Sequence, residues 1–127
     1  MDAFSFGKTA EQADELAELV RTGTKTATSM LVWELEAEGR PLWHVGDRAT
    51  VLDSAGGAVC VIETTELAVK PFSAIDDEFA RDYGEGDRSL AWWRRVMMTY
   101  YSEIAEQLGK HPSEDMLLIC ERFRVVN

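Results

Sequence analysis

The sequence predicts an α+β domain from three features: two β-branched runs joined by a glycine turn in mid-chain, a third such run at the end, and helical repeats that separate strands without strict βαβ alternation. At 127 residues it is read as a single domain over residues 1–127, long enough to bury roughly two-thirds of the surface that its unfolded chain exposes. No internal repeat, low-complexity tract or linker-like composition divides it.

The elements follow in order. Thr9 and Gln12 form a capping-box pattern ahead of Ala13, Leu16, Ala17 and Val20, and Gly23 supplies a C-terminal stop, so a first helix is expected there. A second is expected from Ser29, as N-cap, through Met30, Leu31, Trp33 and Leu35 to Gly39, with Pro41 barring continuation. Residues 49–53 and 59–65, with the turn residues Ser54 to Gly57 between them, read as an antiparallel pair, and residues 116–126 as a third strand. Ser73 to Arg81 reads as a short helix. After the loop Gly84-Glu85-Gly86-Asp87, Asp87 or Ser89 caps a long helix whose Leu90, Trp93, Met97, Tyr100, Tyr101, Ile104 and Leu108 form one broad apolar face ending at Gly109.

Thirteen basic residues against 23 acidic ones give a net charge of −10, spread along the chain. Such a field opposes broad, salt-driven binding to phosphate backbones while leaving room for a local cleft. The N-terminus lacks the basic start and apolar run of a signal peptide, and no apolar stretch is long enough to cross a bilayer, so the expectation is a cytoplasmic protein with no membrane partner. Cys60 and Cys120 lie in apolar runs and read as free core thiols. Two scattered cysteines and two isolated histidines, His44 and His111, show no ligand spacing, so neither metal nor cofactor is expected.

The densest chemistry lies in Gly23-Thr24-Lys25-Thr26-Ala27-Thr28-Ser29, one cation among four hydroxyls, expected at the joint of the first two helices. A helical or tight-turn backbone would bring Lys25 and Thr28 to one side, where a lysine of lowered pKa could take the threonine proton. A charged Lys25 would instead anchor a carbonyl or phosphate, and the plainest reading is that Thr26, Thr28 and Ser29 merely cap a helix. A phosphate-binding loop is rejected, because Thr24 rather than glycine precedes Lys25. Glu63 and Glu121 interrupt apolar strands, which most often means the exposed side of the strand and otherwise a carboxylate that needs a partner or a raised pKa. Trp92, Trp93, Tyr100 and Tyr101 either fill the core or stack on a base.

Taken together and in order, Phe6-Gly7, Gly23 to Ser29, Val45-Gly46-Asp47, residues 59–65, Gly84 to Asp87 with Ser89-Leu90, Trp93-Arg94 and Cys120 to Phe123 make the chain resemble the ASCH (activating signal cointegrator homology) family. The resemblance spans nearly the whole chain. It implies a small PUA-like β-barrel flanked by helices, with a cleft that takes a nucleoside or single-stranded RNA. One bacterial branch contains amidohydrolases of N4-acetylcytidine that use a lysine, a threonine three residues later and a glutamate farther on. By position these become Lys25, Thr28 and, as nearest acid, Glu85, because Tyr83 stands where the acid of that pattern falls. Thr26, Ser29, Tyr83, Trp93 and Arg94 are the substrate-binding candidates. The alternative is a non-catalytic RNA-binding module or a ribonuclease-like member. Pairing into a homodimer stays open.

Overall fold

A computed structural model describes residues 1–126. Strand β1 (Asp2–Phe4) is followed by helix α1 (Ala10–Arg21), strand β2 (Ala27–Leu31), helix α2 (Val32–Glu38), strands β3 (Arg48–Leu52) and β4 (Ala58–Pro71), helices α3 (Asp77–Tyr83) and α4 (Leu90–Gln107), and strand β5 (Leu117–Val125). The five strands form one sheet in the order β1-β3-β4-β5-β2. Only β1 and β3 run parallel; the other pairs are antiparallel. Because β1 and β2 are not paired to each other, the sheet curls into a half-barrel with two free edges.

Local chemistry explains most boundaries. Thr9 Oγ1 accepts from the Gln12 amide at 3.1 Å and Gln12 Oε1 accepts from the Lys8 amide at 2.8 Å, a reciprocal cap for α1. Asp53 Oδ1 accepts from the Ala55 and Gly57 amides and shapes the β3–β4 turn. For α4 the choice between Asp87 and Ser89 falls on Ser89, whose Oγ accepts from the Trp92 amide at 3.0 Å.

The joint of the chemical stretch differs from expectation. The helix expected from Ser29 begins at Val32, and Ala27–Leu31 is a strand paired antiparallel with β5, Ala27 opposite Arg122 and Leu31 opposite Leu118. Lys25 to Thr28 is therefore a loop running into a sheet edge, not a link between helices, and its hydroxyls do not cap the start of α2, where Leu31 is the N-cap. The short helix expected at Ser73 resolves into one 3₁₀ turn, Phe72–Ala74, and α3, which Asp76 caps. Strand β4 runs six residues past its expected end, to Pro71, bending at a bulge between Thr64 and Glu66.

Two apolar clusters flank the sheet. The larger joins α3 and α4 to β2 and β5 through Phe72, Phe79, Tyr83, Trp93, Tyr101 and Leu118; the smaller joins α1 to Val51, Ile62 and Phe123. Arg122, between Glu66, Glu78 and Asp82 and against the Phe79 ring, ties β5 to α3. Both cysteines are buried free thiols, and burial pushes Cys120 up to about 11. Among the described residues no helix is long and apolar enough to cross a membrane.

Candidate functional site

Strand alternation decides what faces what. Thr28 on β2 stands directly opposite Glu121 on β5, so their side chains leave the sheet on the same face, while Ser29, opposite Cys120, points to the other. A cavity of about 1300 Å³ reaches both faces of the β2 edge and is lined by Thr28, Ser29, Glu121 and Thr64 from the strands, by Tyr83, Glu85 and Gly86 from the α3–α4 loop region, and by Trp92 and Tyr100 from α4. The N-terminal segment Met1 to Lys8 and the loop around Trp43 and His44 complete its walls.

Lys25 is fully buried behind this wall, not in it. Its Nζ donates to Ala27 O at 2.9 Å, to Tyr83 O at 3.1 Å and to Glu85 Oε2 at 2.8 Å, and it lies 3.6 Å from the centroid of the Tyr83 ring. The ammonium's three protons are thus all taken. Burial lowers its pKa from the ordinary lysine value, opposed by the charges of Glu85 and Glu121. Three acceptors around one nitrogen suit the ammonium, so Lys25 reads as a charged strut that holds Glu85 in place.

Tyr83 separates that strut from Thr28. The Ser29 hydroxyl donates toward the Tyr83 hydroxyl at 3.5 Å and shares a 2.5 Å hydrogen bond with Tyr101; Thr28 is a second hydrogen-bonding neighbour of the Tyr83 phenol. Burial raises the phenol far above its usual range, so it stays protonated. The Thr28 hydroxyl therefore has a phenol beside it and a carboxylate across the strand, and Lys25 donates to neither.

Four of the eight sequence candidates meet at the cavity: Thr28, Ser29, Tyr83 and Glu85. Thr26 lies elsewhere, its amide donating to Asp82 O at 2.7 Å and its side chain on a separate groove of about 260 Å³. Trp93 is 1% exposed, in the core against Phe72, Phe79 and Tyr83, with Nε1 unpartnered, and Arg94 is exposed on the next position of α4. Neither lines the cavity; its aromatic wall comes from Trp92, Tyr100, Trp43 and Phe6.

Of the two positions open to Glu121, the exposed side of the strand and a partnered carboxylate inside, it takes the second. It is 8% exposed, its Oε2 accepts from Thr64 Oγ1 at 2.7 Å, and it lines the cavity. Burial raises its pKa, opposed by hydrogen bonding to Thr64 and Trp43 and by the Lys25 charge. Its signal in the sequence is a carboxylate directly after the apolar run of residues 116–120, within one strand. Glu63, the other strand carboxylate, is bound by Arg48 and Arg124 and takes no part in the cavity. Among the described residues no three His, Cys, Asp or Glu side chains converge as a metal set.

The ASCH domain model matches residues 2–127. The chain belongs to the ASCH domain family. Its fold superposes on the crystal structure of an ASCH domain from Lactobacillus crispatus JV V101 with a TM-score of 0.93 and 33% identity, covering 98% of this chain and 79% of that one. A protein from Enterococcus faecalis V583 gives 0.90 at 28% identity, covering 99% and 76%. No curated protein matches the chain. The half-barrel with its flanking helices is thus the α+β, PUA-like ASCH fold.

Proposed function

We propose that this ASCH domain takes a single nucleoside, or one unpaired base of an RNA strand, into the cavity behind the β2 edge. The observation that carries the reading is the lining itself: the indole rings of Trp43 and Trp92 and the phenols of Tyr83 and Tyr100 share one cavity with carboxylates and hydroxyls. Rings stack on a base of any sequence, and the polar groups meet its edge. The family is one generally associated with RNA binding. The net charge of −10 favours capture of a base over tracking of a phosphate backbone.

The reading is tested by titrating nucleosides against intrinsic fluorescence, since Trp43 and Trp92 both line the cavity. Saturable quenching that hardly changes between low and high salt is expected for enclosed capture. A steep salt dependence would show phosphate-driven binding instead, and no saturation with any nucleoside would remove the proposal.

A hydrolytic version adds attack of Thr28 Oγ on the carbonyl carbon of an amide such as N4-acetylcytidine, its proton passing to Glu85 or another cavity carboxylate and then to the departing amine. Water would then cleave the acyl ester on Thr28. The Lys25 geometry favours the non-catalytic module, because an ammonium with three acceptors has no lone pair for the threonine proton. Release of cytidine from N4-acetylcytidine, lost in Thr28→Ala, would establish the hydrolytic version.

A further inference from the structure

The cavity is lined by the carboxylates of Glu121, Glu85 and Glu34; the cations that also line it, Lys8, Arg40 and Arg48, are exposed, and the fully buried Lys25 is turned away. Glu85 is already engaged by Lys25, and Glu34 Oε1 accepts from the Leu31 amide. Glu121 is the most buried of the three, 8% exposed, and stands directly across the strands from Thr28; its Oε2 accepts from Thr64 Oγ1, and a carboxylate offers about four lone-pair sites.

We propose that Glu121 reads the edge of the bound base, and that the edge it accepts carries two adjacent donors, the ring imino N–H and exocyclic amino group of a guanine-type base. This rests on the nucleoside reading above and adds the class of base to it.

The argument is complementarity. Thr64 donates to Glu121 Oε2, and although burial raises the Glu121 pKa, the donors of Thr64 and Trp43 and the Lys25 charge oppose that shift and favour the acceptor-only carboxylate that the reading needs. Cytosine and adenine set a ring lone pair beside their amino group, and uracil flanks its one N–H with two carbonyls. Each would press an acceptor against an acceptor, leaving a buried polar group unpaired. Guanine alone among the four presents N1–H and N2–H₂ side by side. Its neighbouring O6 needs a donor, and Thr28, directly across the strands from Glu121 and on the same face, carries a hydroxyl.

The test is a calorimetric titration with guanosine, inosine, adenosine, cytidine and uridine on the wild-type protein and Glu121→Gln. Guanosine is expected to bind tightest, with inosine, which lacks only the 2-amino group, about tenfold weaker, as befits one bond to a charged acceptor. In Glu121→Gln guanosine affinity is expected to fall by about tenfold or more, with guanosine and inosine becoming nearly equal. Binding of several nucleosides with no guanosine-over-inosine preference would overturn the assignment while leaving the pocket standing. Guanosine preference that survives Glu121→Gln would place the reader elsewhere. Failure of every nucleoside to bind would remove the pocket as well. The inosine comparison needs no substitution, so it decides the matter even if the variant folds poorly.

Discussion

Lys25 and Glu121 are both ionisable groups almost wholly removed from water, and they differ in what removal of each would expose. Lys25→Met would leave two carbonyls and Glu85 without their donor, so a loss of about 3–5 kcal/mol in urea unfolding is expected, the range for breaking a buried pair from one side. Glu85→Gln should cost clearly less, because the Glu85 side chain keeps 20% of its exposure and can rehydrate. An equal cost would mean that the carboxylate, not the ammonium, holds the loop. Glu121 makes a pH signature. Its folded pKa is raised above the ordinary 4.5, so the stability it lends is complete below that pH and is lost as pH rises through the folded value. Comparing urea midpoints of wild type and Glu121→Gln should therefore show the variant gaining on wild type from pH 4.5 toward neutrality. A constant gap would disprove the raised pKa. These residues also show where sequence reading stops. A lysine or glutamate is ordinarily exposed, and only contacts as distant as Lys25 to Glu85 or Thr64 to Glu121 reveal otherwise.

Elements with local signatures were legible: α1 from its cap and stop, the β3–β4 pair from its turn, α4 from its apolar face, β5 from its β-branched run. Strand β2 was not, because Thr26, Thr28 and Ser29 carry the chemistry of a helix cap and become strand neighbours only by pairing with β5, some ninety positions along. Strand β1 has three residues and gains its identity from a parallel partner far off in sequence. The loop after α3 is held by shape. Gly84 has φ of +74°, and a Cβ there would fall 2.4 Å from Thr24 O and 2.6 Å from Lys25 Cα, backbone atoms that cannot step aside. Gly39 ends α2 with φ of +66° but meets nothing within 4 Å. Gly39→Ala is thus expected to cost about 1–2 kcal/mol, the left-handed strain alone, and Gly84→Ala well over that, both read from urea midpoints. Equal costs would show that α3 does not press on Lys25.

At the scale of the whole molecule, the cavity depends on the half-barrel staying open between its two free edges, and each edge supplies part of the wall. The family match spans residues 2–127, so the assignment of the fold draws on every element, whereas the chemistry draws on a few side chains from β2, the α3–α4 loop, β4 and β5. That division explains why the fold class could be read from periodicity and turn residues while the site could not. The first eight residues carry one practical consequence. Met1 to Lys8 contribute to the cavity lining, so a peptide fused ahead of Met1 would start from a residue of that wall and is expected to compete with whatever enters. Purification handles belong at the opposite terminus, and affinities measured with an amino-terminal handle should rise once a protease trims it away.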